Sequence, residues 1–249
     1  MVFILDRTHT KRYMGFYKNA GGMSHPITKR ELIEEINIRL ERGQYNLNDI
    51  DTSRIIDMSN LFYSYSCKDI DVSQWDVSSV RTMDYMFFNS IHFDCDLSKW
   101  DVSNVERMSG MFKGCKNFNC DLSKWNVSNV YTMVSMFLNC ASFNSDLSGW
   151  NTSRVRRMDY MFANCDNFNS DLSRWNVSNV ENMHNMFLNC HKFNSDLSKW
   201  DVSNVDDMEN MFAYCENFVQ DLSGWDTSNA RFKYGAFNCS GVKKIPERF

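Results

Sequence analysis

The stretch FNSDLSRWNVSNVENMHNMFLNC, residues 168–190, recurs along most of the chain with few changes. Its tryptophan marks the period, because all seven tryptophans of the sequence are 25 residues apart: Trp75, Trp100, Trp125, Trp150, Trp175, Trp200 and Trp225. A fixed period of this length is typical of repeat proteins, in which each coil buries its apolar side chains only against its neighbours. We therefore predict a solenoid with these tryptophans in its structural core.

Each copy of the repeat combines two apolar periods. In the copy that starts at Phe93, Trp100 and Val102 flank Asp101, which is the alternation of a short strand. Apolar residues then follow at steps of three and four, which indicates a helical or 3₁₀ turn: Val105, Met108, Met111 and Phe112. The predicted fold class is an α/β repeat solenoid, with a short strand on one side of each coil and a short helix or 3₁₀ turn on the other.

The chain divides into three segments. Residues 1–44 are predicted to form a lead-in and a capping helix, since Thr28 and Glu31 have capping-box spacing and Gly43 is a suitable stop. This helix would cover core side chains that an open solenoid end exposes. Residues 45–240 contain about eight copies, of which the first and last are atypical, and residues 241–249 form a charged tail.

Composition bounds the class of protein. The formal net charge is −4, so the basic excess expected of a nucleic-acid-binding surface is missing. No stretch approaches the roughly 20 apolar residues that a membrane span needs, and the N-terminal apolar run is too short for an export signal. We therefore expect a cytoplasmic protein that binds no nucleic acid and has no membrane span.

The nine cysteines fit that compartment. Five of them share the repeat register: Cys115, Cys140, Cys165, Cys190 and Cys215. This regular spacing favours buried thiols that act as small apolar side chains. A disulfide between Cys95 and Cys120, which are one period apart, is the alternative. Zinc-site spacings such as Cys-x-x-Cys are missing, so we predict neither a metal site nor a cofactor.

The run at 168–190 resembles the repeats of BspA-like bacterial surface proteins, including the mycoplasma-lipoprotein type, and more generally leucine-rich repeats. The similarity covers about four fifths of the chain. It implies a right-handed leucine-rich-repeat-like coil, and it implies cell-surface display, adhesion and protein contacts as an alternative to a cytoplasmic role. The missing export signal departs from that family pattern.

Two polar columns follow the repeat. The first is the aspartate column: Asp71, Asp96, Asp121, Asp146, Asp171, Asp196 and Asp221. Each of these residues precedes a Leu-Ser pair, which suggests that its carboxylate closes an Asx turn. A column of calcium-binding sites is the alternative. The second is the polar strip, a candidate partner-binding face: Lys99, Asp101, Lys124, Asn126, Arg174, Asn176, Lys199 and Asp201. Simple charge relief on a solvated surface is its alternative explanation. On the other side of the repeats, Arg156 and Arg157 and the acids at 206–209 are expected to make a charge gradient along the stack, which is either a docking surface or a solvated helix face.

Catalytic motifs are hard to find in this sequence. The five histidines are scattered, and nucleotide-binding, serine-hydrolase and metalloprotease motifs are missing. We predict a non-enzymatic solenoid that presents an extended repeat face to a protein partner. The alternatives are a surface adhesin that binds host protein or glycan, and a small hydrolase with its site in the N-terminal region.

Overall fold

The computed structural model describes residues 24–65, 69–247 and 249. The start of the predicted lead-in, residues 1–23, lies outside these residues. Within them there is one helix, α1, which spans Lys29–Glu41. Its capping box is present as predicted: the Thr28 hydroxyl accepts from the Glu31 N–H, and the Glu31 carboxylate accepts from the Thr28 N–H.

Helix α1 packs against the first repeat. Leu32 and Ile36 are buried in the same apolar cluster that runs through the repeats. The Lys29 ammonium donates to the Asp57 carboxylate at 3.1 Å, which fixes the start of the helix to the first coil. The apolar face of α1 therefore covers the N-terminal end of the core, where the first repeat has no preceding repeat of its own kind.

Consecutive repeats are joined through their backbones in register. Single-residue parallel bridges join positions 25 apart, and these positions form the bridge column: Asp57, Thr82, Arg107, Thr132, Arg157, Asn182, Asp207 and Phe232. Beside the bridges, alternate N–H groups donate to the next repeat, as from Met108 to the Thr132 carbonyl at 3.2 Å and from Phe112 to the Met136 carbonyl at 3.0 Å. The repeats therefore stack in sequence order.

The interior of each repeat differs from the predicted strand and helix. Residues 100–102 form no bridge, and the backbone bridge of that copy lies at Arg107, inside the segment predicted as helical. The repeat is instead a series of turns that begin and end at buried residues. The Trp100 N–H donates to the Leu97 carbonyl at 3.1 Å, and later turns repeat this three-residue step. Consecutive turns therefore produce the apolar spacing that resembles a helix.

Left-handed backbone explains why these turns do not continue as a helix. Each repeat has two positions with φ between 50° and 80°, for example Asn185 and Asn189. An α-helix needs right-handed φ at every residue, so a left-handed residue every few positions interrupts it. Asn and Gly, which adopt this conformation most readily, fill many of these positions.

The core is a set of aligned columns of side chains. All seven tryptophans are buried, with 3–5% of each residue exposed. The Trp150 and Trp175 rings are parallel with their centroids 6.2 Å apart, and the Trp150 indole N–H donates to the Leu122 carbonyl at 3.0 Å. Phe137 and Phe162 stack in a neighbouring column at 5.7 Å. The indole hydrogen bonds satisfy the one polar group that each buried tryptophan carries.

The cysteines follow the same register. The five thiols at the repeated position are buried, and each donates to a phenylalanine carbonyl, as Cys165 does to Phe137 at 2.9 Å. Burial raises their pKa values. Cys95 and Cys120 are free thiols in this structure, and each lies against an aspartate carboxylate.

The predicted tail continues the stack at its C-terminal end. Lys244 forms a parallel bridge with Asp221, and its ammonium donates to the Asp221 carboxylate at 2.7 Å. The Phe249 ring contacts the Phe237 ring of the last repeat at 4.6 Å. Part of residues 241–249 thus packs on the last repeat as a partial cover.

Candidate functional site

The polar strip occupies one exposed face of the stack. All eight of its residues are exposed, and they come from consecutive or nearby repeats at equivalent positions. The structure therefore places the predicted residues on one continuous surface. No ion pair links the four basic side chains of the strip to an acid among the described residues.

The acidic and amide side chains of the strip have a local role. The Asp101 carboxylate accepts from the Ser103 N–H at 3.0 Å, and Asn176 accepts in the same way from Ser178 at 3.1 Å. Hydrogen bonds from the Ser103 hydroxyl and N–H lower the pKa of Asp101. These side chains close Asx turns, so one of their oxygen atoms is already occupied.

The aspartate column forms Asx turns in every copy. Each carboxylate accepts from the N–H of the serine two residues later, at 2.9–3.1 Å. For Asp171, the N–H and hydroxyl of Ser173 and, more weakly, the charge of Arg174 lower the pKa. Lys199 has the same weak effect on Asp196. The basic residues of the strip thus lie close enough to the aspartate column to offset its charge.

On the bridge-column face, charges pair between neighbouring repeats. Arg107 donates to Asp84 at 2.7 Å, and Arg156 to Glu181 at 3.2 Å. Arg231 forms an ion pair with Asp206. The gradient expected from the arginines at 156–157 to the acids at 206–209 is therefore partly cancelled by local pairs.

One cluster on this face lacks an arginine or lysine. The Nδ1 atom of His184 lies 3.4 Å from Asp207 Oδ1 and 4.0 Å from Glu209 Oε2. One ligand-type atom from each of these residues lies within 4.8 Å of the other two, and among the described residues no other histidine, cysteine or acidic group is so arranged. We call these three residues the His184 cluster. Its Nδ1 atom is buried and has no hydrogen-bond partner among the described residues.

The His184 cluster is not apparent in the sequence when the histidines are considered one at a time. His184 and Glu209 occupy the same repeat position, 25 residues apart, and Asn182 and Asp207 occupy the bridge column two residues earlier. Aligning the copies and searching adjacent ones for metal-ligand residue types would have found it. The signal is a histidine in one repeat followed by two acids at matching positions in the next.

Comparison with known protein families shows which family the chain belongs to. Residues 33–150 and 132–245 each match the model of a family described as Mycoplasma protein of unknown function, DUF285. The chain belongs to the DUF285 family. The two overlapping matches agree with a mycoplasma-type repeat protein. A search of curated proteins finds no match.

The partner prediction needs correction. DUF285 is a family of unknown function, so the match supports neither a protein nor a glycan as the partner of the polar strip. The strip's Asp and Asn side chains close turns, and its basic residues lie near the aspartate column, so these contacts do not identify a partner either. Within the described residues, no helix has the length and apolar character needed to cross a membrane.

Proposed function

We propose that this DUF285 chain is a non-enzymatic binding scaffold. In this proposal the stacked repeats form a right-handed, leucine-rich-repeat-like solenoid of about eight coils, related to the BspA-like repeats. Its role is to hold surface side chains in a fixed, extended array. A surface-displayed adhesin module is the same scaffold in another compartment.

The observation that carries the proposal is the exposed polar strip. Turn hydrogen bonds hold its Asp101 and Asn176 positions, and the buried tryptophans next to them anchor the backbone. A surface that is ordered before binding loses little conformational entropy on binding. The strip therefore has the rigidity that recognition over several repeats requires.

The charge arrangement on the other face favours a scaffold over an enzyme. A concavity of about 760 Å³ there is lined by groups that include Arg157, Asp206 and Arg231. Asp206 and Arg231 pair with each other, and Arg157 pairs with Asp159, so these charges offset each other. Catalytic sites usually contain titratable groups with perturbed pKa values that converge on one shielded point.

The proposal is tested by capture from an extract of the source cell with the immobilised full chain. The variant Lys124→Glu/Lys199→Glu reverses two charges of the polar strip. Its matched control, Lys116→Glu/Lys192→Glu, reverses two exposed charges outside the strip. We expect the wild type and the control to retain the same bound material and the strip variant to lose most of it. Equal capture by all three, or no capture by the wild type, would contradict the proposal.

A further inference from the structure

We propose that His184, Asp207 and Glu209 bind one zinc ion at the junction of two adjacent repeats. This site is separate from the polar strip and does not depend on the scaffold proposal. It also differs from the sequence-based expectation of no metal site. The inference rests on three observations: the distances between the three side chains, the hydrogen-bond partners of the two His184 ring nitrogens, and the absence of a lysine or arginine paired with Asp207 or Glu209 among the described residues.

The backbone register brings the three residues together. Asn182 and Asp207 form a parallel bridge, and the Asn185 N–H donates to the Glu209 carbonyl at 2.9 Å. His184 and Glu209 therefore lie beside each other in neighbouring repeats. The Glu209 N–H also donates to Asp207 Oδ1 at 3.0 Å, which holds that carboxylate against the turn. Such prior ordering favours metal binding because the ligands need little rearrangement.

The histidine ring is oriented with one nitrogen toward the acids. Its Nε2 atom lies 3.0 Å from the Tyr160 hydroxyl, while Nδ1 faces Asp207 and Glu209. Metal-binding histidines usually use one nitrogen for the metal and the other for an outer hydrogen bond. Tyr160 provides that outer partner, which leaves the buried Nδ1 as the ligand atom.

The separations between ligand atoms suit zinc. Ligands about 2.1 Å from a tetrahedral zinc ion are about 3.4 Å from each other. The distances from Nδ1 are 3.4 Å to Asp207 Oδ1 and 4.0 Å to Glu209 Oε2, and the three ligand-type atoms lie within 4.8 Å of one another. One imidazole and two carboxylates favour zinc over calcium, which prefers oxygen ligands alone. Water would supply the fourth ligand.

Charge distinguishes this cluster from the other acids of the same face. Asp84, Asp159 and Glu181 each pair with an arginine. Asp207 and Glu209 form no ion pair with lysine or arginine among the described residues. A divalent cation would neutralise both carboxylates at a position where the repeats supply no basic side chain.

The test is a zinc titration of the full chain labelled with ¹⁵N, followed through the histidine ring nitrogens by NMR. We expect one ion per chain and a shift of one Nδ1 resonance, which is missing in His184→Asn. This measurement separates the proposed site from zinc held by cysteine thiolates, because those do not move a histidine nitrogen. Thermal unfolding without zinc checks that each variant is folded.

Carboxylate variants provide the quantitative test. Glu209→Gln should weaken zinc binding at least tenfold, and its carboxylate accepts no hydrogen bond among the described residues, so folding should be retained. Asp159→Asn is the matched control on the same face and should bind zinc as the wild type does. Unchanged affinity in Glu209→Gln, or a His184 Nδ1 resonance that does not move at saturating zinc, would overturn the proposal.

Discussion

An interior repeat and the last repeat have the same register but not the same environment. Around Trp150, the methionines Met158 and Met161 are fully buried. In the last copy, the residues at the equivalent positions are Lys233 and Ala236. The register is therefore continuous to the end of the stack, while the apolar side chains that fill it are not.

Neighbouring repeats explain the difference. The Phe162 ring stacks on Phe137 and on Phe187, each at 5.7 Å. Phe237 in the last copy stacks on Phe212 at 5.9 Å, and its other ring contact among the described residues is with the tail residue Phe249. An interior coil gains packing from two neighbours, and a terminal coil gains it from one. We expect stability to decrease from the interior toward the C-terminal end.

The largest expected effect is alkaline destabilisation by the five buried thiols. Burial raises the pKa of Cys115 and of Cys215 from the ordinary thiol value of 9.0 to about 12. A raised pKa in the folded state means that the stability is fully present below the unfolded value and is lost as the pH rises toward the folded one. Between about pH 9 and 12 the unfolded thiols ionise first, which costs about 1.4 kcal/mol per buried thiol by pH 10.

Denaturant unfolding at pH 7.5 and pH 10 measures this loss. Cys165→Ala should reduce the difference in unfolding free energy between the two pH values by about a seventh, because Cys95 and Cys120, whose pKa is raised to about 11, contribute nearly as much by pH 10 as each of the five register thiols. Cys239→Ser, which changes an exposed thiol of the last copy, should leave the difference as it is in the wild type. An identical pH dependence in all three proteins would show that the register thiols are not buried.

Next in size is the loss of one tryptophan. Trp150→Ala should lower the free energy of unfolding by about 3–5 kcal/mol, because it leaves a cavity and removes the indole hydrogen bond to the Leu122 carbonyl. Trp225→Ala should cost less, since its ring stacks on Trp200 with no further tryptophan beyond it. Urea denaturation of both variants gives the comparison. A larger loss for Trp225 than for Trp150 would refute the difference between interior and end.

The smallest effect is expected at the aspartate column. Asp171→Ala removes the acceptor for the Ser173 N–H, a bond of 2.9 Å, and should cost about 1 kcal/mol. Asp171→Asn keeps an oxygen acceptor and should cost less than half as much. The lowered pKa of Asp171 adds stability above its unfolded value, and this part is lost as the pH falls below about 4. Equal losses in the two variants at pH 7 would exclude the Asx turn as the stabilising contact.

Sequence patterns identified the repeat register and α1, but they misassigned the backbone inside each repeat. Trp100 and Val105 are spaced as predicted, yet turns rather than a strand and a helix produce the spacing. Turns and 3₁₀ segments share a three-residue step, so apolar periodicity alone does not separate them. The signal that would have shown the turns is the residue with left-handed backbone. This residue is Asn185 in one copy but Tyr160 in the copy before it, so its residue type does not mark the position in every copy.

Of the two candidate sites, one was predicted from the sequence and the other was not. The polar strip could be predicted because its members repeat at two fixed positions of the copy. The His184 cluster could not be found from any single column, since His184 and Asp207 belong to different columns of adjacent repeats. Its existence depends on how those columns face each other in space. Sequence spacing therefore predicts what each repeat shares, whereas a site formed by two particular repeats becomes apparent only when adjacent copies are compared as neighbours in the stack.

Amide hydrogen exchange tests most directly the central claim that backbones pair in register between consecutive repeats. The Met133 and Phe137 N–H groups donate to the Arg157 and Met161 carbonyls, at 3.0 and 2.9 Å. The Phe237 N–H, at the position equivalent to Phe137 in the last copy, has no acceptor among the described residues. We predict slow exchange at Met133 and Phe137 and fast exchange at Phe237. Equal exchange at the three amides, or faster exchange in the interior, would contradict the stacked register.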